Sequence, residues 1–201
     1  MQWLSRIDQT APTLPAAWLI ATTARPANLP ERATLRRSLA RAVLASQFGL
    51  APEAVAIGHE PAGRPVIAAP HGTGLHLSLA TRSGLVAIAL AHEPVGIDVE
   101  HVDPAGSVPL SILHPDERSW LAALPDTAHA LAFAQLWSAK EAYVKALGLG
   151  LVRPPESFAV RFDGSDRFAV EDRENGGVAQ GFVTVTKSGG QETLTAAFVT
   201  L

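Results

Sequence analysis

Hydrophobic residues recur along the chain with two different spacings, and these spacings predict an order of strands and helices. Helical spacing runs through residues 29–48 and 128–147, and a short helix with proline in its first turn is predicted at 115–124. Apolar runs and alternating patterns predict strands at 18–23, 55–59, 75–79, 85–91, 95–100, 157–162, 167–170, 181–187 and 193–200. This mixture of elements predicts an α+β protein.

The order of these elements predicts two lobes of similar make-up that meet near residues 101–110. Residues 1–15 are predicted as a loose lead-in, and residues 104–114 as a connection that contains proline and serine. We therefore divide the chain into an N-terminal lobe, residues 1–103, and a C-terminal lobe, residues 104–201, which act as one functional unit. No sequence repeat relates the lobes, so the residues alone do not predict internal symmetry.

Composition excludes several classes of protein. Hydrophobic residues make up 47% of the 201 residues, which is enough for a packed core. The net charge of −3 gives no general signal for nucleic acid or an anionic membrane, and no apolar run approaches the ~20 residues that span a bilayer. The absence of cysteine excludes disulfides, thiolate zinc sites and cysteine nucleophiles. We expect a soluble cytoplasmic protein with neither nucleic acid nor membrane as a partner.

Two acidic residues stand on one face of the strand predicted at 95–100. Side chains alternate along a strand, so Asp98 and Glu100 share a face, with their Cα atoms about 6.6 Å apart. Two carboxylates this close repel each other unless a cation lies between them, and Mg²⁺ prefers such oxygen ligands. The alternative is an exposed strand end with two solvated acids.

The long helix at 128–147 carries an unusual face. Four of its side chains fall within an arc of roughly 140°, namely those of Trp137, Lys140, Glu141 and Lys145. Glu141 could supply a third oxygen ligand to the cation, while the two lysines could hold phosphate oxygens. The alternative is an ordinary ion pair between Glu141 and Lys145, with Trp137 in the core. Gly148 and Gly150 are predicted to end the helix.

Two arginines are further candidates for binding an anion. Arg64 lies in a Gly-Arg-Pro turn, where the backbone is restricted, and Arg32 lies at the start of the first long helix, which favours anions. Surface arginines are common, so a role in solvation remains the alternative for each.

Taken together, these motifs resemble those of the 4′-phosphopantetheinyl transferases, in particular the larger, two-lobed type that acts on secondary-metabolite synthases. Gly-Ile-Asp98-Val-Glu100 is followed at the family's spacing by Trp-Ser-Ala-Lys140-Glu141-Ala-Tyr-Val-Lys145 and Gly-Leu-Gly-Leu. The turn at Arg64 and the run at 157–161 follow in family order, so that the resemblance spans residues 30 to 165, roughly. It implies two similar α/β lobes in a pseudo-two-fold arrangement, with the active site in the cleft between them.

The resemblance also implies roles for individual residues. Asp98, Glu100 and Glu141 match the acids that hold Mg²⁺ against the pyrophosphate of coenzyme A, and Lys145 matches a lysine that contacts the phosphate. Glu117 matches an acid on the helix between the motifs that is suspected of activating the serine. Either Glu117 or Glu141 could therefore be the base, and the residues leave this choice open.

The basic residues match contacts to coenzyme A. Arg64 corresponds to a residue at the 3′-phosphate, Arg32 to one near the adenine nucleotide, and Lys140 is a further candidate for phosphate. One stretch departs from the family, because Ala80 and Thr81 stand where a Ser-His pair touches the phosphate of coenzyme A. Arg82 is the residue that could replace this lost contact.

The resemblance implies transfer of 4′-phosphopantetheine from coenzyme A to a serine of an acyl or peptidyl carrier protein, with Mg²⁺ as the metal and adenosine 3′,5′-bisphosphate as the other product. Because two lobes in one chain can form the cleft, we expect a monomer. A non-catalytic relic that binds coenzyme A or a carrier protein is the alternative. A different Mg²⁺-dependent phosphate enzyme is less favoured, since the sequence contains neither a P-loop nor a Gly-x-Gly-x-x-Gly motif.

Overall fold

The computed structural model describes residues 1–24, 26–148, 153–188 and 190–201. Within these residues the α-helices are α1 (Leu29–Phe48), α2 (Pro115–Ala122) and α3 (Asp126–Leu147). The strands are β1 (Gln2–Leu4), β2 (Ala16–Ala21), β3 (Ala56–His59), β4 (Pro65–Ala69), β5 (His76–Arg82), β6 (Leu85–Ala91), β7 (Val95–His101), β8 (Ala159–Asp163), β9 (Arg167–Asp172), β10 (Gly177–Lys187) and β11 (Thr193–Thr200). None of the helices in these ranges combines the length and the apolar character that a bilayer span requires.

The first lobe consists of a sheet with the strand order β1-β2-β6-β5 and the helix α1. The helix begins at Asn28, whose side chain accepts a hydrogen bond of 2.9 Å from the Glu31 amide, and ends at Gly49 in the left-handed conformation. Its buried face, with Val43 and Leu44, packs against Trp18 on the sheet. A separate antiparallel pair, β3-β4, completes the lobe and carries the turn that contains Arg64.

The second lobe is an antiparallel sheet with the strand order β7-β11-β10-β9-β8. The helix α3 covers one face of this sheet, and Leu136 packs there in one apolar cluster with Phe168 and Val199. Sheet pairing therefore places β7 in the second lobe, whereas the sequence division at residue 103 had assigned its residues to the first.

Both lobes repeat one connectivity. In each, a first strand leads into a long helix, and a later antiparallel hairpin returns so that its second strand pairs antiparallel with the first strand. The strands are β2, β5 and β6 in the first lobe and β7, β10 and β11 in the second. This confirms the predicted α+β class with two similar lobes, although no sequence repeat marks it.

The lobes meet through a buried cluster that is rich in alanine. Ala80, Ala87 and Ala89 of the first sheet pack in one buried cluster with Ile97 and Ala196 of the second. Short side chains let the two lobes approach closely. A polar contact reinforces the junction of β5 and β7, since the Ile97 amide donates a hydrogen bond of 3.1 Å to Ser78 Oγ. The part of β7 that carries Asp98 and Glu100 therefore lies beside the end of β5.

Candidate active site

A close approach of α3 to β7 creates the site. A Cβ atom at Gly96 would overlap the carbonyl oxygen of Ala142, so only glycine lets the helix lie this close to the strand. The contact brings the helical residues that follow Leu136 beside the acidic end of β7. Glu141 and Lys145 thereby come within electrostatic reach of Asp98.

Asp98 is the most enclosed of the three acids that were matched to the metal, with 7% of its surface exposed. Its Oδ1 atom accepts a hydrogen bond of 2.6 Å from Lys145 Nζ, which also donates to the Ile97 carbonyl at 3.2 Å. Its Oδ2 atom is buried and has no hydrogen-bond partner. Burial raises the pKa of Asp98, and the Lys145 ammonium opposes this rise. An unpartnered, buried carboxylate oxygen is an available ligand atom.

Glu100 and Glu141 share this acidic environment. Burial raises the pKa of each glutamate, and the negative charge of Asp98 raises both further. Glu100 forms an ion pair with Arg82, whose Nη2 atom lies 3.4 Å from Oε2, and Lys145 partly offsets the repulsion at Glu141. The structure thus brings the three predicted acids into one electrostatically coupled group with two cations.

The acids are not arranged as a ready-made metal cage. Within the described ranges, no group of three or more acidic, histidine or cysteine side chains is positioned to hold a metal ion. The donors nevertheless fit a hard divalent cation, because all three are carboxylates, they repel one another, and Asp98 presents an unpartnered oxygen. Lys145 and Arg82 supply the compensating positive charge in this arrangement.

Lys140 lies inside the protein rather than in the cleft. Only 1% of its side chain is exposed, and its Nζ atom lies 2.7 Å from Glu117 Oε1, with hydrogen bonds of 2.8 Å to the carbonyls of Pro155 and Phe158. The ammonium group also stands over the Phe158 ring, 4.3 Å from its centre. Lys140 has no free donor for a phosphate in the cleft, so the sequence expectation for this residue is corrected.

Glu117 is equally enclosed and is saturated with hydrogen bonds. It is 1% exposed, and it accepts bonds of 2.9 Å from the His114 amide and 2.7 Å from the Val160 amide as well as pairing with Lys140. The first bond belongs to a capping box that starts α2. A carboxylate held in this way cannot reach a serine of a partner, so its expected role as base is also corrected.

Arg64 stabilises the end of α3. Its Nη2 atom donates a hydrogen bond of 2.9 Å to the Ala146 carbonyl, and it lies against Gly148, which ends the helix in the left-handed conformation. Arg64 also lines a cavity of about 230 Å³ together with Lys145. It therefore stands at the edge of the candidate site. The predicted role of Gly150 in helix termination lies outside the described residues.

Arg32 lines a second, larger cavity of about 510 Å³. Thr81, Arg82 and His101 are also part of its wall, so this cavity borders the ion pair between Arg82 and Glu100. The structure thus separates the two arginines assigned to one nucleotide, because Arg32 and Arg64 face different cavities. Trp137 lies half-buried on α3 and stacks on Phe133, with ring centres 6.2 Å apart.

Sequence reasoning overlooked Arg36 as a candidate. It lines the smaller cavity with Arg64 and Lys145, one helical turn after Arg32. The spacing of four residues places both arginines on one face of α1, and this signal was present in the sequence. The spacing alone gave no reason to select Arg36, because the sequence does not show that β3-β4 and α3 lie against that face of α1.

Comparison with known proteins identifies the same family in each case. The family model described as the 4′-phosphopantetheinyl transferase superfamily matches residues 94–198, just over half of the chain. A 4′-phosphopantetheinyl transferase of Bacillus subtilis is 30% identical over 135 residues, which cover 66% of this chain and 59% of the relative. The 4′-phosphopantetheinyl transferase HetI of Nostoc sp. is 30% identical, with coverages of 62% and 55%. The chain therefore spans somewhat over half the length of the curated relatives it matches.

Proposed function

Because the chain belongs to the 4′-phosphopantetheinyl transferase superfamily, we propose that it transfers 4′-phosphopantetheine from coenzyme A to a serine of an acyl or peptidyl carrier protein. The observation that carries this proposal is the meeting of Asp98, Glu100, Glu141 and Lys145 where α3 crosses β7. A protein that only binds a nucleotide has no need for three mutually repelling acids beside a lysine. Phosphoryl transfer does, because its reacting group is densely charged.

In the proposed reaction, the serine oxygen attacks the phosphorus atom on the pantetheine side of the pyrophosphate. The bond from this phosphorus to the bridging oxygen breaks, and adenosine 3′,5′-bisphosphate leaves. Lys145, whose ammonium already reaches the acid cluster, is placed to stabilise the negative charge on the phosphates. The serine proton passes to a carboxylate, and of the two considered, Glu141 is the one that solvent reaches.

We assign the metal of this reaction as Mg²⁺, with Asp98, Glu100 and Glu141 as its holding residues. When bound there, a magnesium ion would neutralise pyrophosphate charge and favour in-line displacement. Support comes from the unpartnered Oδ2 atom of Asp98 and from the raised pKa of both glutamates, which results from burial and then from the negative charge of Asp98. Arg82 pairs with Glu100 and therefore also balances the charge of this group.

We assign Arg32, Arg64 and Arg82 to the binding of coenzyme A. Arg82 and Arg32 border one cavity, and Arg64 and Lys145 border the other, so positive charge lies on both sides of the acid cluster. Arg82 takes the place of the Ser-His contact that is absent at Ala80 and Thr81. Its guanidinium pairs with Glu100 but is 52% exposed, so a phosphate in the larger cavity can contact its exposed side.

We further propose that the protein is cytoplasmic and acts as a monomer. Both lobes of one chain contribute to the site, since β5 supplies Arg82 and β7 with α3 supply the acids. No second copy is needed to complete this arrangement. The carrier protein then approaches the open side of the cleft.

Incubating the purified protein with coenzyme A, Mg²⁺ and an apo carrier protein tests the proposal. Mass spectrometry should show that the carrier gains one phosphopantetheine group, and that Asp98→Ala or Glu141→Ala abolishes this gain. Circular dichroism should show that both variants keep their secondary structure. Near-wild-type transfer by either variant would remove the acid cluster from the mechanism.

The same assay separates the enzyme from a non-catalytic binding protein. A binding protein would retain coenzyme A in calorimetry but would leave the carrier mass unchanged with Mg²⁺ present. Glu171→Gln is a suitable control, because this exposed acid pairs with Arg161 on the outer strands of the second sheet. Its transfer rate should match that of the wild type.

A further inference from the structure

Two of the three acids assigned to the metal already hold a cation of the protein itself. Asp98 accepts a hydrogen bond of 2.6 Å from Lys145, and Glu100 forms an ion pair of 3.4 Å with Arg82. Among the described residues, Glu141 forms no ion pair, and no second cation pairs with Glu100. A divalent cation that binds this group would therefore compete with two positive charges of the chain for the same carboxylates.

The two cations differ in how firmly they are held. Lys145 also donates a hydrogen bond of 3.2 Å to the Ile97 carbonyl, so two acceptors hold its ammonium group. Within the part of the chain that the structure describes, Arg82 makes an ion pair with Glu100 but no hydrogen bond, and 52% of its side chain is exposed. Exposed ion pairs contribute little to stability, so the guanidinium can leave Glu100 at a small cost in free energy. Arg82 is therefore the more movable cation of the two.

The hairpin that carries Arg82 restricts its backbone. Arg82 is the last residue of β5, and the turn to β6 consists of Ser83 and Gly84, whose φ angles are 44° and 78°. Positive φ at both residues is typical of a tight two-residue turn. The side chain of Arg82 lines the cavity of about 510 Å³ together with Arg32. A rotation of this side chain therefore exchanges a contact with Glu100 for a contact with a ligand in that cavity.

We propose that Arg82 is an internal counter-ion of Glu100, which hinders metal binding until a phosphate group of coenzyme A binds Arg82 instead. The protein alone then binds a divalent cation weakly, and the cation and coenzyme A bind cooperatively. This inference rests on the proposed function and gives Arg82 a second role, which is to couple the two ligands. A phosphate competes well with Glu100, because it can accept two parallel hydrogen bonds from the guanidinium.

Titration of the ligand-free protein with Mn²⁺, followed by electron paramagnetic resonance, tests this role without any turnover. Mn²⁺ is a suitable probe because it prefers the same oxygen ligands as Mg²⁺. Arg82→Gln should bind Mn²⁺ about three- to tenfold more tightly than the wild type, because one competing positive charge is gone. Arg82→Lys should stay within about twofold of the wild type, because it keeps a positive charge at this position.

The coupling between the two ligands gives a second measurement, by calorimetry of coenzyme A binding with and without Mn²⁺. Mn²⁺ should raise the coenzyme A affinity of the wild type by about tenfold or more, and linkage requires coenzyme A to raise the Mn²⁺ affinity by the same factor. This factor should be at least about threefold smaller in Arg82→Gln, because Glu100 is free before coenzyme A binds. A residue that only stabilised the fold would lower Mn²⁺ affinity when replaced, and one that only contacted phosphate would leave it unchanged.

Arg161→Gln is the matched control. Arg161 is 57% exposed and pairs at 3.0 Å with both Glu171 and Asp116, so the substitution removes the same charge from a different acidic group. It should change neither the Mn²⁺ affinity nor the coupling. The proposal is overturned if Arg82→Gln binds Mn²⁺ no more tightly than the wild type, if Arg161→Gln has the same effect, or if neither the wild type nor Arg82→Gln binds Mn²⁺ without coenzyme A.

This inference and the proposed function fail in different ways. If the wild type modifies a carrier but Arg82→Gln does not bind Mn²⁺ more tightly, only the counter-ion role of Arg82 is wrong. If the wild type neither binds coenzyme A nor modifies a carrier, the proposed function is wrong, while the Mn²⁺ titration still reports whether Arg82 competes for the acids. Thermal melting should confirm that each variant is folded at the assay temperature.

Discussion

The buried ion pair between Glu117 and Lys140 allows a sharp test of the difference between a structural and a catalytic acid. Both side chains are 1% exposed, and their charged atoms lie 2.7 Å apart. We expect Glu117→Gln to destabilise the protein but to leave the chemistry of the folded molecules intact. The substitution keeps the size of the side chain and an oxygen acceptor for the Val160 amide, while it removes the charge that balances Lys140.

The expected loss of stability in Glu117→Gln follows from the contacts of Lys140. Removing one partner of a buried ion pair costs about 3–5 kcal/mol, because the other charge remains buried without compensation. Lys140 keeps two carbonyl hydrogen bonds and the face of the Phe158 ring, which favours the lower end of that range. A loss of about 3 kcal/mol corresponds to a fall in Tm of about 6–12 °C for a protein of this size.

Two measurements are needed, namely the Tm from differential scanning calorimetry and the kcat for carrier modification at a temperature where the variant is fully folded. We expect the lower Tm together with a kcat within a few-fold of the wild type. The double variant Glu117→Gln/Lys140→Met should recover part of the lost stability, because it no longer buries an unpaired charge. Glu156→Gln, which alters an exposed acid whose charge also acts on Lys140, should change Tm little.

The opposite pattern would refute this reasoning. A general base contributes about 10²–10⁴-fold to the rate, so a catalytic Glu117 would lower kcat by such a factor in the Gln variant. If Tm were unchanged and kcat fell that far, Glu117 would have to reach the substrate, and the enclosed position seen in the structure would not represent the working enzyme.

Three further predictions concern the candidate site. Gly96→Ala should lower both stability, by about 1–3 kcal/mol from overpacking, and transfer, because a Cβ there pushes α3 away from β7; wild-type urea denaturation and kcat would contradict this close contact. Burial raises the pKa of Asp98, Glu100 and Glu141, so these three acids should contribute stability to the metal-free protein at low pH, and this contribution should be lost as pH rises through the raised values. Since Mg²⁺ binds the ionised acids, its effect on Tm should be larger at about pH 8 than at about pH 5, and equal effects would speak against this site. Thr81→His should lower the Michaelis constant for coenzyme A if Arg82 compensates incompletely, and an unchanged or higher constant would indicate a different mode of nucleotide binding.

Much of the secondary structure could be predicted from local pattern. The helix α1 and the strands β6 and β11 have the predicted bounds, because capping residues, glycines and apolar periodicity mark their ends. The short strands β1 and β4 were not predicted. β1 has only three residues and, among the described residues, pairs only with β2. β4 starts at Pro65, in a sequence that is typical of a turn. Such short strands form because they pair with distant segments, and the local sequence pattern contains no information about that pairing.

In the candidate site, too, some features could be predicted from local pattern and others could not. Alternation along β7 and helical spacing along α3 were sufficient to single out Asp98, Glu100, Glu141 and Lys145, because each pattern repeats over a few residues. Neither pattern distinguishes an inward from an outward charge on a helix. Lys140 and Glu141 are adjacent in sequence, yet one is buried against Glu117 and the other faces the acid cluster.

The sequence by itself therefore predicted most of the elements, the two-lobed α+β class and the acids and lysine as candidates, since these depend on periodicity and on spacing within single elements. Only the tertiary structure decided that β7 belongs to the second lobe, that Lys140 and Glu117 neutralise each other inside the core, and that Arg36 joins Arg64 at a basic cavity. The physical reason is that burial and charge pairing depend on which distant segments come into contact. Such contacts change the free energy of a charged group far more than its neighbours in sequence do.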